Sequence, residues 1–234
     1  MLPLFKTQFS VGKSILTIDH ILELAKEADL DQLCVVEDNF YGFRELNQKC
    51  LEQEIKLVFG IRLPVISDSF DENERFSKLV FFAKNNQGLR DIKNLYTNTY
   101  TSESSVLAFS ETKDKLQNIR VGVPFYDSFV YNNVFHFGMS NIDLDGVDHF
   151  YMVEDNNHPF DFQINRTLDK LKINNKTLVK TICYENREDF KAFQMLRAVC
   201  SRSQGKSPTF GNPNLNHFCS QEFCWQSWKE QSNA

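Results

Sequence analysis

One continuous run limits most strongly what this chain can fold into, namely LCVVEDNFYGFRELNQKCLEQEIKLVFGIRLPV, residues 33–65. It opens with Leu33–Val36, a short apolar stretch typical of a strand that is covered on both faces. Apolar side chains then recur at helical spacing from about Gly42 to Glu54, and Leu57–Ile61 repeats the buried-strand pattern. Strands and helices that alternate with short connections predict a parallel sheet with right-handed crossovers, and hence an α/β fold.

Two acidic residues stand where the first of these strands ends. Glu37 and Asp38 follow Val36 directly. Active sites of α/β folds lie at the carboxyl ends of parallel strands, so these two carboxylates are candidates for catalysis or metal binding. The alternative is an ordinary turn, in which Asp and Asn side chains bond to the local backbone, and this outcome is the more common one after strands.

The same alternation is visible outside this run. Before it, Thr17 is placed to cap a helix, IDHILELAKEA, whose apolar residues recur at helical spacing. The middle of the chain is less regular. There Val121–Val123 and Val134–Phe137 are predicted as strands, with a turn at Asn132 and Asn133 between them.

Charge and composition exclude some functions. The formal net charge is -5, from 26 Lys and Arg against 31 Asp and Glu. Strong binding to duplex DNA is therefore not expected, because it requires clustered cations that outweigh the acids. Phe is abundant at 22 of 234 residues, which favours an AT-rich coding genome such as that of a phage.

The cysteines and the hydropathy pattern indicate a cytoplasmic protein. Six cysteines are scattered without a Cys-x-x-Cys pair, so neither a zinc ribbon nor a disulfide framework is expected. The first residues, MLPLFKTQF, are too polar for a secretory signal, and no apolar run is long enough for a membrane span.

The run at residues 33–65 resembles the amino-terminal PHP (polymerase and histidinol phosphatase) domain of the bacterial replicative DNA polymerase III alpha subunit. In that family the same stretch reads like alAlTDHgnlyGavefykackkagIKpIiGcEvyv. The resemblance extends in order along the chain and is strongest over residues 15–65, 78–101 and 178–199. It implies a single domain, residues 1–234, folded as a distorted seven-stranded (β/α) barrel of the TIM-like PHP type, with an aromatic-rich extension at residues 207–234.

The family hydrolyses phosphoesters or nucleotide 3′ ends with metal ions that are held by His and carboxylate side chains from several strand ends. Tyr41 and Gly42 fix the alignment. The family's Asp-His pair then falls on Val36 and Glu37, and Asp38 replaces the usual glycine. The remaining ligand positions fall on Leu4 and Lys6, on Arg62, on Asn157 or His158, and on Cys183 and Glu185.

Four of these positions, Leu4, Lys6, Val36 and Arg62, therefore carry side chains that cannot serve as metal ligands. Lys6 and Arg62 would repel one. We expect them to replace metal charge opposite Glu37 and Glu185, in a structural salt-bridged cluster without a bound metal. The donors that could still hold zinc or manganese are Glu37, His158, Cys183 and Glu185.

The resemblance implies three functions, which the sequence leaves open. The first is a non-catalytic accessory of DNA replication, a pseudoenzyme that docks on a polymerase or on a proofreading exonuclease subunit. The second is a residual metal-dependent phosphoesterase or 3′–5′ exonuclease that uses Glu37, Asp38 and Glu185, with His158 and Cys183. The third is the amino-terminal part of a polymerase of the polymerase III alpha type. We favour the first, because ligands are lost where cations are gained.

Four aromatic side chains are concentrated near the end of the chain: Phe218, Phe223, Trp225 and Trp228. Either they close the bottom of the barrel, or they form an exposed anchor for a protein partner, since aromatic residues dominate interface hot spots. Closure is the more common outcome, and the anchor is the candidate partner-binding surface.

Overall fold

The computed structural model describes residues 1–68, 76–136, 140–158, 160–202 and 220–232. By its internal contacts the chain forms two compact units. The first unit consists of Met1–Val58, Glu154–Pro159 and Val179–Ala234, and the second of Phe59–Val153 and Phe160–Leu178. The single domain expected over residues 1–234 stays a prediction.

Strands and helices alternate along the described residues. The strands are β1 (Leu2–Phe5), β2 (Gln32–Glu37), β3 (Lys56–Ile66), β4 (Ser77–Ala83), β5 (Leu107–Ala108), β6 (Ile119–Val123), β7 (His149–Val153) and β8 (Lys176–Ile182). The α-helices are α1 (Ile18–Glu27), α2 (Phe43–Glu52), α3 (Asn86–Thr101), α4 (Phe129–Phe135), α5 (Asp161–Lys170), α6 (Phe190–Arg202) and α7 (Trp225–Ser232). Short 3₁₀ helices lie at Lys113–Lys115 and Arg187–Asp189.

The strand pairings follow the order β2-β1-β8-β7-β6-β4-β3-β5, and β2 also pairs with β3. The first seven strands in this order therefore form a closed ring, to which β5 is added beside β3. Most pairings are parallel: β1 with β2 and β8, and β7 with β6 and β8. The predicted α/β fold with a seven-stranded barrel is confirmed.

One strand runs against the others. β4 is antiparallel to both of its neighbours, β3 and β6. Parallel neighbours need a crossover connection of about a dozen residues or more, usually a helix. The residues between Ile66 and Ser77 are fewer than that, so the chain can return only in the opposite direction. The parallel pairing predicted from the alternation of strands and helices therefore does not extend to this strand.

Local sequence explains how α1 forms. Thr17 is in extended backbone conformation, and its side chain accepts a hydrogen bond from the backbone N–H of His20, as predicted. The apolar side chains at helical spacing, among them Ile18, Ile21 and Leu22, are buried. Cap and apolar face together fix where the helix begins and which side packs inward.

The predicted strand at Val134–Phe137 is wrong in its described part. Residues 129–135 form α4 instead, because Ser128 provides an amino-terminal cap by accepting a hydrogen bond from the N–H of Tyr131. Asn132 lies within this helix, and its side chain donates to the hydroxyl of Ser77 at 3.1 Å. The predicted strand at Val121–Val123 is confirmed as part of β6.

Among the described residues, no helix combines the length and the apolar character that a membrane crossing requires.

Candidate functional site

Three parallel strands of the first unit carry most of the predicted site residues. Leu4 of β1 lies opposite Cys34 of β2 on one side and opposite Thr181 of β8 on the other. The carboxyl ends of parallel strands meet at the same edge of a sheet. The residues that end or follow these strands there are Lys6, Thr7, Glu37, Asp38, Cys183 and Glu185.

Glu37 is buried at the end of β2, and its carboxylate is bound by neighbouring groups of the protein. The backbone N–H of Thr7 donates to it at 2.7 Å, and the hydroxyl of Ser10 donates to its other oxygen. The Nζ of Lys6 donates to the carbonyl oxygen of Val36 at 3.2 Å. Burial raises the pKa of Glu37, while the positive charge of Lys6 and the hydrogen bonds of Ser10 and Thr7 oppose this rise.

Asp38 belongs to the loop that follows β2 and is partly exposed. It forms an ion pair with Lys13. The next residue, Asn39, donates from its side chain to the carbonyl oxygen of Phe9 at 2.9 Å. Both contacts join the loop after β2 to the loop after β1.

Glu185 has an imidazole partner that the sequence did not indicate. The Nε2 atom of His20 lies 2.9 Å from a carboxylate oxygen of Glu185. Both side chains are partly exposed, at 39% for His20 and 35% for Glu185. His20 stands in the first turn of α1.

Three of the predicted positions are apolar or buried thiol groups. Leu4, Val36 and Cys183 are all buried. The carbonyl oxygen of Cys183 accepts a hydrogen bond from Ser14, and its N–H donates to the carbonyl oxygen of Phe223. These positions serve packing and backbone pairing in the first unit.

Asn157 and His158 lie in the turn after β7. Asn157 has a positive φ of 57°, which Asn tolerates better than most residues. His158 is buried, with its ring centroid 6.0 Å from that of Phe223. Burial lowers the pKa of His158 to about 4, and the nearby charge of Lys180 contributes in the same direction.

A second buried carboxylate is absent from the set that the sequence predicted. Glu154, directly after β7, accepts hydrogen bonds from the N–H of Thr181 at 3.2 Å, from its hydroxyl at 2.8 Å and from Asn156 at 3.0 Å. The fully buried Lys180 donates to the carbonyl oxygen of Asp155 at 2.8 Å. The available signal was the tetrapeptide Val-Glu-Asp-Asn, which occurs both here and at the end of β2.

Arg62 belongs to the second unit and lies on β3. Its guanidinium forms an ion pair with Asp127 at 3.6 Å, within the same unit. The structure thus brings Lys6 and Glu37 within electrostatic reach of each other, and it pairs Glu185 with His20 and Arg62 with Asp127. The four-membered cluster of Lys6, Arg62, Glu37 and Glu185 stays a prediction.

The tail aromatics are packed inside the first unit. Phe223, Trp225 and Trp228 are buried, and the ring of Trp225 lies 5.5 Å from that of Phe5 and 4.3 Å from that of Trp228. The indole N–H of Trp228 donates to the carbonyl oxygen of Met1 at 3.0 Å. Burial of these three rings leaves them little surface for contact with a partner, and closure of the barrel bottom stays a prediction. Phe218 lies outside the described residues.

The side chains present do not fit a multinuclear metal centre. Throughout the described part of the chain, no three His, Cys, Asp or Glu side chains come together in a group that could hold a metal ion. Glu37 already accepts hydrogen bonds from Thr7 and Ser10, and Lys6 supplies a positive charge beside it. A cation added there would meet repulsion and an incomplete set of donors.

Comparison with known proteins gives one family. A sequence model of the family described as PHP domain matches residues 5–133, more than half of the chain. A search of curated proteins found no match. Among solved structures, one similar chain is named as a candidate metal-dependent phosphoesterase from Bifidobacterium adolescentis. It has a TM-score of 0.40 and 11% sequence identity, and the match covers 76% of this chain and 87% of that chain.

Proposed function

This chain belongs to the PHP domain family, and from that premise we propose that it is a non-catalytic member. We propose that it serves DNA replication as a structural accessory that docks on a polymerase or on a proofreading exonuclease subunit. The observation that carries the proposal is the state of Glu37. Glu37 stands where the resemblance places the histidine of the Asp-His pair, and its carboxylate is bound by Thr7 and Ser10 with Lys6 alongside.

Metal-assisted hydrolysis needs an open coordination position and a bound water whose pKa the metal lowers. A carboxylate that already accepts a backbone N–H and a hydroxyl has few lone pairs left for a metal, and a neighbouring ammonium opposes the metal's charge. Among the other expected ligands, Cys183 is buried, and its backbone N–H donates to the carbonyl oxygen of Phe223. Glu185 forms an ion pair with His20. These features support a structural role for the strand ends.

The replication context comes from the resemblance to the polymerase III alpha subunit. In that family, PHP domains that have lost their ligands hold the polymerase together and dock the separate exonuclease. The negative net charge also agrees with a protein partner better than with direct binding of duplex DNA. The partner class we propose is therefore a replicative polymerase or its proofreading subunit.

A residual phosphoesterase or 3′–5′ exonuclease is the second candidate. Membership of the PHP domain family favours it, because active members of this family hydrolyse phosphoesters. It would depend on Glu37, Asp38 and Glu185, with His158 and Cys183 as further donors.

A hydrolysis assay separates the two candidates. The purified chain is incubated with single-stranded DNA and with a generic phosphomonoester, each with Mn²⁺ and with Zn²⁺. Glu37→Gln removes the carboxylate at the end of β2, and Glu23→Gln, on the exposed side of α1, is the matched control. We expect no turnover that distinguishes the wild type from Glu37→Gln. Turnover that Glu37→Gln abolishes and Glu23→Gln preserves would establish the second candidate.

A binding assay tests the docking role directly. The chain is mixed with purified replicative polymerase and, separately, with purified proofreading exonuclease, and each mixture is analysed by size-exclusion chromatography with light scattering. We expect one of them to form a complex of defined stoichiometry. If neither binds at micromolar concentrations, the docking proposal is wrong, whatever the outcome of the hydrolysis assay.

A further inference from the structure

Residues 220–232, the last that the structure describes, are bound to the rest of the first unit partly through their main chain. The backbone N–H groups of Trp225 and Gln226 donate to the carbonyl oxygens of Tyr184 and Glu185, at 3.0 and 2.9 Å. Pairing of this kind beside a segment that follows a strand is the mode in which a sheet binds an added extended peptide. We call residues 220–232 the terminal segment.

Aromatic rings of the terminal segment are inserted into the first unit. The exposed fraction is 2% for Phe223, 1% for Trp225 and 8% for Trp228. The ring of Trp225 packs against that of Phe5 on β1, and the indole N–H of Trp228 donates to the carbonyl oxygen of Met1. Buried aromatic anchors that also make a hydrogen bond supply much of the binding energy where one chain recognises another.

Ion pairs accompany these aromatic contacts. The guanidinium of Arg187 donates to the carboxylates of both Glu222 and Glu230, at 2.7 to 3.0 Å. The Nζ of Lys229 lies 2.7 Å from a carboxylate oxygen of Glu27, at the end of α1. The charges of the terminal segment are thus matched by opposite charges on the rest of the unit, and such complementarity fixes the register of a bound chain.

These contacts are tertiary, and the terminal segment also has order of its own. The hydrogen bonds and ion pairs named above join positions that are at least 35 residues apart. Within the segment, the rings of Trp225 and Trp228 are stacked, with their centroids 4.3 Å apart. The covalent link from α6 to the segment runs through residues 203–219, which lie outside the described residues. The segment is therefore related to its surroundings as a bound peptide is to its receptor.

We infer that the first unit has an acceptor surface that binds the terminal segment as a peptide ligand and recognises the same sequence in trans. This surface is formed by Met1, Phe5, Glu27, Tyr184 and Arg187. The ligand it takes has two tryptophans three positions apart, bracketed by glutamates eight positions apart. A second copy of this chain carries that ligand, and exchange of the segment between copies reproduces the same contacts. The inference does not rest on the proposed docking to a replication protein, because ligand and acceptor belong to the same chain.

Cleavage of the full-length chain tests whether the contacts suffice without the covalent link. A recognition sequence for a specific protease is placed within residues 203–219, and the folded protein is cut there. We expect the two pieces to elute together in size-exclusion chromatography at micromolar concentration. A terminal piece that elutes alone would overturn the inference, whether the remainder stays folded or unfolds.

A labelled synthetic peptide of residues 220–234 measures binding in trans. It is added to the cut and to the uncut protein, and binding is followed by fluorescence anisotropy. The cut protein should bind the peptide as the peptide replaces the resident segment. The uncut protein should bind it at least about tenfold less tightly, because a linked ligand has a high effective concentration. Equal binding to both forms would show that the peptide attaches elsewhere and would refute the acceptor surface.

Substitutions in the peptide leave the folding of the protein itself unaffected. Trp228→Ala should raise the Kd about a hundredfold, because it removes a buried ring and its hydrogen bond to Met1. Glu222→Gln should raise it about fivefold, because solvent screens part of its ion pair with Arg187. Ser232→Ala, at an exposed position, is the matched control and should change the Kd by less than about twofold. A Trp228→Ala peptide that binds as tightly as the wild-type peptide would contradict the inference.

Discussion

Two pairs of glutamates in the first unit behave in opposite ways. Glu37 and Glu154 are buried, and burial raises the pKa of both. Glu222 and Glu230 are bound by the guanidinium of Arg187, which lowers the pKa of both. The ionised form of a glutamate is thus disfavoured in one place and favoured in the other, according to whether desolvation or an opposite charge dominates.

The contrast explains why different partners are found at the two places. Arg187 presents a planar fork that reaches Glu222 and Glu230 together, which suits a partly exposed position between the 3₁₀ helix and α7. Glu37 and Glu154 instead accept hydrogen bonds from backbone N–H groups and hydroxyls, and each has one lysine charge nearby. The experiments below either separate these two arrangements or show that they are equivalent.

The largest effect is expected for Lys180→Met. Lys180 is fully buried and its Nζ donates to the carbonyl oxygen of Asp155, so the substitution removes a hydrogen bond from a charged donor, and the free energy of unfolding should fall by about 2–3 kcal/mol. Urea denaturation measures this loss. Lys191→Met, on the exposed side of α6, is the matched control and should change the free energy of unfolding by less than about 0.5 kcal/mol. Equal effects of the two substitutions would show that Lys180 is not electrostatically important.

Arg187→Met should have a smaller effect. It removes a two-glutamate fork, but the side chain is about one-third exposed, so solvent screens part of the interaction. We expect a loss of about 1 kcal/mol in the free energy of unfolding, measured in the same way. Salt distinguishes the two arrangements further, because 1 M NaCl should reduce the effect of Arg187→Met and leave that of Lys180→Met nearly unchanged. The reverse order of salt sensitivity would contradict the comparison.

The pH dependence of stability should have opposite signs at the two places. A glutamate whose pKa is raised in the folded state binds protons more readily when folded, so it favours folding increasingly as the pH falls towards the ordinary value of 4.5. Stability relative to Glu154→Gln should therefore rise on acidification from neutral pH. For Glu222, whose folded pKa is lowered, the stabilisation is present above pH 4.5 and is lost as the pH falls through the lowered value.

Thermal unfolding of Glu154→Gln and Glu222→Gln between pH 7 and pH 4 measures these two slopes. The difference in midpoint between the wild type and each variant is plotted against pH. The two plots should slope in opposite directions. Parallel plots would mean that burial and the Arg187 fork do not act on these carboxyl groups as described.

The smallest effect is expected from chelation. If lysines supply the positive charge at the strand ends, excess EDTA should leave the thermal midpoint of the wild type unchanged within about 1 °C. A clear fall in midpoint on chelation, reversed by Mn²⁺ or Zn²⁺, would show that a metal stabilises this fold. Elemental analysis of the purified chain provides the independent check.

Local patterns were sufficient for a large part of the fold. The cap at Thr17 and the apolar spacing after it predicted α1, and the apolar stretch Leu33–Val36 predicted β2. These two predictions succeeded because a helix cap or a hydrophobic periodicity depends on residues only a few positions apart. The same reasoning failed at Val134–Phe137, where Ser128 begins a helix that the apolar pattern alone did not reveal.

The candidate site was predictable only in part. Glu37 was found because it follows a recognisable buried strand. Glu154 follows an equally apolar strand, and the repeated tetrapeptide was visible in the sequence, but nothing local assigned Lys180 and Thr181 to it. The contact of His20 with Glu185 joins positions 165 residues apart, which no local pattern could specify.

The sequence by itself determined the alternation of strands and helices, the place of Glu37 at a strand end and the presence of cations where the family resemblance expects metal ligands. Only the tertiary structure decided the direction of β4, the pairing of Arg62 with Asp127 and the burial of Lys180 beside Glu154. The physical reason is the range of the forces. Capping and hydrophobic periodicity act between near neighbours in the chain, whereas strand direction and charge compensation depend on which distant segments are packed together.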